Sequence, residues 1–179
     1  MQITICVAMS LDRLIADKNG QTGWGSPEDQ THLKKQIKNN DLLIMGRKTY
    51  ESLGDKIKPS LKKSRIILTK SQELLGMSAG LTTIKFTNES PKKVIENLRA
   101  TDNSKILILG GNQIYRSFLK DDLVDAIYIS IEPIRLEIGL KVTPELDRLS
   151  NFELKKTETI NERGTIIKYY EKNQKSSRI

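Results

Sequence analysis

The chain has 179 residues, of which 37% are hydrophobic and 29% charged. That length predicts one domain with one core, the composition excludes disordered and collagen-like chains, and no apolar run reaches the roughly 18 residues that would cross a bilayer. The net charge of +8 invites a polyanion, but the lysines are scattered and aromatics make up only 5%, so the pattern argues against nucleic acid and for a solvated basic surface.

Met1 to Ile5 enter an apolar strand with no basic stretch or cleavage site before them, which predicts a protein of the cytoplasm. That strand, Ile3 to Met9, holds the single cysteine, Cys6, which reads as a small buried hydrophobe rather than a nucleophile. A helix over Pro27 to Lys38 follows, with Ser26 as N-cap, Pro27 at its first position and acids in its first turn. One of those acids, Asp29, stands just after Trp24-Gly25. It is either a helix-end carboxylate, worth about 0.3 to 1 kcal/mol, or a pocket acid. His32, the only histidine, lies mid-helix and reads as a surface or packing residue, and no metal-ligand cluster is present.

The strand Leu42 to Met45 runs through Gly46 into a helix that opens on Arg47, Lys48 and Thr49. Backbone N–H groups and cations together make this a phosphate site in outline. Strands at Arg65 to Thr69 and Thr82 to Phe86 precede a helix over Pro91 to Arg99 behind Ser90. Lys105 to Leu109 then leads through Gly110-Gly111 into a helix over Gln113 to Leu119, and the paired glycines permit a close backbone approach to a ligand. Ala126 to Glu132, Phe152 to Thr159 and Thr165 to Tyr170 complete the strands, while 136–149 shows no clear period. Strands alternating with helices predict an α/β fold: a mostly parallel central sheet flanked by helices, with antiparallel strands at the C-terminal end. A single domain over 1–171 is expected, followed by a frayed basic tail over 172–179. The sequence leaves the oligomeric state open.

Taken in this order, the Trp-x-x-Pro-x-Asp element, the Gly-Arg-x-Thr segment and the glycine pair resemble the dihydrofolate reductase family over roughly residues 1–135. The resemblance implies NADPH as cofactor and a small pterin-like or pyrimidine-like substrate. It implies that Trp24 stands beside the nicotinamide, that Asp29 is the ionisable side chain facing the substrate ring, and that Ser130 is the hydroxyl beside the acid. It further implies that Val7, Ala8 and Ile15 line the nicotinamide pocket and that Asp12 to Trp24 form a mobile loop over it. Gly46, Arg47, Lys48 and Thr49 are implied to bind cofactor phosphates, with Thr69 and Lys70 near the 2′-phosphate. Leu109, Gly110, Gly111, Gln113, Ile114 and Tyr115 are implied to form the pyrophosphate segment, its glycines joined by a cis peptide. Ala8, Gln30, Leu33 and Leu53 would line the substrate.

Other stretches are similar to the riboflavin-pathway pyrimidine reductases: Ala8-Met9-Ser10-Leu11-Asp12, Asp122-Leu123-Val124-Asp125 and Glu132-Pro133-Ile134. Gln30 and Leu33 replace larger apolar groups of folate enzymes, and Lys62 or Lys63 stands in for the arginine that pairs with the folate glutamate, without its planar fork. The first expectation is therefore dihydrofolate reduction, serving one-carbon metabolism. The second is reduction of a ribosylaminopyrimidine phosphate in riboflavin biosynthesis, and the third is a non-catalytic basic binding module on the same fold.

Overall fold

The computed structural model describes residues 1–53, 63–77, 83–101 and 104–173. Its elements in chain order are β1 (Gln2–Ser10), β2 (Leu14–Asp17), α1 (Pro27–Asn39), β3 (Leu42–Gly46), α2 (Arg47–Leu53), β4 (Ser64–Leu68), α3 (Gln72–Gly76), β5 (Ile84–Thr87), α4 (Pro91–Leu98), β6 (Lys105–Gly110), α5 (Asn112–Lys120), β7 (Ala126–Glu132), β8 (Gly139–Lys141), α6 (Pro144–Arg148), β9 (Phe152–Thr159) and β10 (Ile166–Lys172). The expected fraying of the tail falls, beyond residue 173, outside the described residues, as does Thr82.

Eight strands form one sheet in the order β5-β4-β3-β6-β1-β7-β10-β9. The strands from β5 to β7 run parallel, and β10 and β9 are antiparallel, as the alternation of elements predicts. The period-two pattern of the strands divides two packed layers. Ile5, Ile44, Ile106, Ile108 and Ile127 face Val94 and Leu98 of α4, Phe118 of α5 and Leu146 of α6. Leu43, Met45, Ile67 and Leu107 face the other way, against Ile37 and Leu33 of α1, Tyr50 of α2 and Leu74 of α3. Because the parallel strands share a direction, their carboxyl ends lie along one edge, where an open α/β sheet takes its ligands.

The 13-residue helix α1 is closed at both ends. Ser26 Oγ accepts the Asp29 N–H at 3.2 Å. At the far end the Asn40 amide donates to Gln36 O, and Lys63 Nζ donates to Lys38 O at 3.0 Å and Asn40 O at 2.6 Å, satisfying carbonyls that the helix leaves unpaired.

Four elements depart from the pattern seen in the sequence: β2, α3, β8 and α6. Each is five residues or fewer. The segment expected to be a loop over Asp12 to Trp24 contains β2, which pairs antiparallel with β8 from the aperiodic stretch 136–149. This pairing depends on Gly139, since a Cβ there would stand 2.1 Å from Ala16 O. Side-chain hydrogen bonds help join the ribbon to the rest. The Asp12 carboxylate accepts the Ser10 hydroxyl, which chiefly lowers its pKa to about 2, and the Glu137 and Leu136 N–H groups, which add to that. The Asn112 side chain donates to Lys141 O and accepts the Thr143 N–H. No helix among the described residues is long and apolar enough to cross a membrane.

Candidate active site

The turns after β3 and β6 meet at the carboxyl edge of the sheet. A Cβ on Gly46 would stand 3.1 Å from Ile114 Cγ1, and one on Gly111 would stand 3.4 Å from Thr49 Oγ1, so the two segments touch through their glycines. Gly110 has φ +99°, and a Cβ on it would lie 2.7 Å from the Tyr115 ring. Here glycine is required by backbone conformation and by space together. The Gly110–Gly111 peptide is cis. Tyr115 is buried and donates its hydroxyl to Cys6 O at 3.0 Å, which ties α5 to β1. Burial raises the pKa of the Tyr115 hydroxyl and of the Cys6 thiol.

Of the polar residues expected to meet phosphates, Lys48 and Lys70 are exposed, as is Gln113. Arg47 is held by Glu51, one turn on, at 2.7 and 3.0 Å. Thr69 is buried, takes the Thr87 carbonyl with its N–H, and accepts the Ser71 N–H with its hydroxyl. Val7, Ile15 and Leu109 are buried, and half-buried Ala8 lies in register with Ser130 on the neighbouring strand.

On the other side of β1, side chains of α1 meet those of β7. Period two brings Tyr128, Ser130 and Glu132 to one face of β7, and the helical period presents His32, Asp29 and Ser26 to them in turn. The His32 ring meets the Tyr128 ring edge-on at 5.1 Å, so the histidine is a packing residue, as its place mid-helix suggests. Asp29 is 8% exposed. Its carboxyl pKa is raised, chiefly because burial penalises the charged form; the Ser130 hydroxyl opposes that rise and the charge of Glu132 adds to it. Ser130 Oγ is itself buried and, among the described residues, lies in hydrogen-bond distance and angle of no partner, so it is free to bond a ligand or the Asp29 carboxylate. Gly25 leaves the approach to the acid open, since a Cβ there would stand 3.1 Å from Asp29 Oδ2. Half-buried Trp24 donates from its indole to Gln21 O.

The remaining expected contacts are distributed less evenly. Gln30 is exposed, and its amide turns back to Gly25 O. Leu33 packs against the α1-side core. The side chain of Leu53, and all of Lys62, lie outside the described residues. Lys63, considered above as a partner for a substrate carboxylate, instead has its ammonium on the last carbonyls of α1. The residues that sequence reasoning missed are Glu132 and Thr165. Glu132 is 3% exposed and accepts from Ser26 N, Ser26 Oγ and Thr165 Oγ1. The signal was available: an acid two residues beyond Ser130, on the same strand, must share its face.

The family model for dihydrofolate reductase matches residues 2–174. A dihydrofolate reductase of Buchnera aphidicola is 36% identical over 120 residues, covering 66% of this chain and 65% of that one. A dihydrofolate reductase of Staphylococcus aureus is 30% identical over 131 residues, covering 73% and 71%. Among solved structures, a diaminohydroxyphosphoribosylaminopyrimidine deaminase/5-amino-6-(5-phosphoribosylamino)uracil reductase of Thermotoga maritima superimposes with a TM-score of 0.77 at 15% identity, covering 96% of this chain and 56% of that one, a likeness of fold. With the paired glycines, the basic turn and the buried acid on one sheet edge, and a family match over nearly its whole length, the chain belongs to the dihydrofolate reductase family.

Proposed function

We propose that the protein is an NADPH-dependent reductase that transfers hydride to a pterin-like ring, converting 7,8-dihydrofolate to tetrahydrofolate. The observation that carries this reading is Asp29: a buried carboxyl with raised proton affinity, opposite Ser130 and across β1 from the glycine turn that ends β6. The glycine turns would suit a dinucleotide: Gly46 and Gly110 let the two turns pack closely against Ile114 and Tyr115, and Gly111 puts no side chain beside Thr49. Gly46, Thr49, Gly111, Gln113 and Ile114 would hold the phosphates, with Arg47, Lys48 and Lys70 meeting the 2′-phosphate. When bound, NADPH supplies the hydride. Asp29 would hold the amino-pyrimidine edge of the substrate by paired hydrogen bonds and favour a proton on the adjacent ring nitrogen, while Trp24 and the β2–β8 ribbon exclude bulk water.

A second reading, reduction of 5-amino-6-(5-phosphoribosylamino)uracil, keeps the same acid and the same cofactor. It is favoured by exposed, polar Gln30 next to Asp29, and by Lys63, whose ammonium is engaged by the last carbonyls of α1 rather than free for a glutamate tail. Loss of NADPH absorbance, followed with dihydrofolate in one cuvette and the pyrimidine in another, separates the two. Turnover of neither would refute both readings and leave the fold as a binding module.

A further inference from the structure

The sequence Ser26-Pro27-Glu28-Asp29 has the form of a capping box, in which the N-cap hydroxyl accepts the N–H of the third helical residue and that residue's acid accepts the N-cap N–H in return. Only half of the box is made. Ser26 Oγ accepts Asp29 N at 3.2 Å, but Ser26 N donates at 2.9 Å to Glu132 Oε1, from β7. The Ser26 hydroxyl donates to the same oxygen at 2.7 Å. The second oxygen, Oε2, accepts Thr165 Oγ1 at 2.8 Å, and Asn161 donates to that threonine at 2.9 Å and to Glu28 at 3.0 Å.

We propose that Glu132 is a positioning residue for the reductase reaction: it takes over the N-cap N–H of α1, fastens the first turn to β7 and to Thr165, and so releases Asp29 to face the substrate. The proposal rests on Asp29 being the pocket acid of the reading above. Ser26, Thr165 and Glu132 are all buried, with relative exposures of 5%, 0% and 3%, so water does not compete for these bonds. A carboxylate there is costly, because its partners among the described residues are hydroxyl and amide donors rather than a cation. A neutral amide would satisfy the two Ser26 donors at the same shape. What only the carboxylate adds is negative charge beside Asp29, which makes that acid hold its proton more strongly. The other groups around Asp29 do not supply this. Cys6 on β1 keeps its proton through burial, Glu28 is turned to Asn161, and His32 is turned to Tyr128.

The test uses Glu132→Gln, which keeps the shape and removes the charge, and Thr165→Val, which keeps the charge and removes one tether. The titration of Asp29 is followed by carboxyl-carbon NMR on the protein without substrate, and kcat and KM are measured against pH. In Glu132→Gln the Asp29 midpoint and the acid limb of kcat are expected to move together to lower pH by about half a pH unit or more. In both variants kcat is expected to fall severalfold while KM for NADPH holds within about twofold. In Thr165→Val the Asp29 midpoint should stay where it is. An Asp29 titration in Glu132→Gln superimposable on wild type, or wild-type kcat in both variants, overturns the proposal. A wild-type protein that reduces neither candidate substrate would instead overturn the reductase reading, while the substrate-free titration still decides whether Glu132 governs Asp29.

Discussion

Replacing Asp29 by asparagine should move activity and stability in opposite directions. If the carboxylate only steadied the N-terminus of α1, Asp29→Asn would lose the 0.3 to 1 kcal/mol of a helix-end interaction, a fall in Tm of up to about 4 °C for a chain this long, and leave turnover intact. The geometry opposes that outcome, because the cap is made by Ser26 Oγ and the N-cap N–H is taken by Glu132. Burial raises the pKa of Asp29 in the folded protein, with the charge of Glu132 adding to the rise, so the folded state binds this proton more tightly than the unfolded chain does. The wild type is then unpenalised below the ordinary carboxylate range, loses stability as pH rises from there through the folded pKa, and carries the full penalty above it. Asp29→Asn should match wild type in acid and become the more stable protein towards neutral pH, read as Tm by calorimetry across the range. Turnover should fall by roughly a hundredfold at neutral pH, about 2.7 kcal/mol of transition-state stabilisation, with NADPH affinity unchanged. With dihydrofolate the deficit should narrow at low pH, where the ring is protonated in solution. A variant less stable than wild type at neutral pH, with turnover intact, would return Asp29 to the role of helix cap.

The cofactor cleft makes its own demands. NADPH should bind at least tenfold more tightly than NADH, about 1.4 kcal/mol, and Arg47→Ala should narrow that gap in a fluorescence titration, since the exposed Glu51 pair holding Arg47 is worth at most about 1 kcal/mol against a phosphate. Equal wild-type affinities would refute this assignment. Gly111→Ala should fold and lose NADPH binding, because its φ of −77° suits alanine and its one close neighbour among the described residues is Thr49. Gly110→Ala, with φ +99° and the Tyr115 ring in the way, should yield little folded protein by circular dichroism. Gly25→Ala should lower kcat by about three- to tenfold without changing NADPH affinity, as its methyl displaces Asp29 Oδ2 by a few tenths of an ångström; unchanged kcat would mean that the carboxyl position is not critical.

The long strands and helices were legible because each carries its own period. Ile3 to Met9 and Lys105 to Leu109 read as buried strands on their own, and Ser26-Pro27 and Ser90-Pro91 mark helix starts that the structure caps as expected. The β2–β8 ribbon was not legible, because strands of four and three residues contain too few positions to show a period. Their pairing joins Leu14 to Lys141 and rests on a glycine at 139, a relation no local window contains. Within the site, the glycine turns and Asp29 were visible because their chemistry is local. Glu132 was visible only as part of a motif, since its use depends on Ser26 and Thr165, each far off in the chain.

The site is built from two kinds of material, and the sheet explains the division. Where β3 and β6 end, the turns pack directly against each other, so the determining residues are Gly46, Gly110 and Gly111, and what matters about them is the side chain they lack. Where α1 crosses β7, the determining residues are Asp29, Ser130 and Glu132, and what matters is polarity kept dry by the core behind it. β1 lies between the two, pairing with β6 on one side and β7 on the other. Tyr115 crosses that boundary, reaching from α5 to the Cys6 carbonyl, one strand away from the acid. A cofactor lying over the glycines and a ring held by Asp29 would therefore be brought together across β1, at half-buried Ala8, whose small side chain leaves room for both. By that argument Ala8→Leu should raise KM for NADPH and for the ring substrate together, whereas a change at Gly111 or at Asp29 should affect only one of them. An Ala8→Leu variant with both KM values unchanged would show that the two halves of the site do not meet at β1.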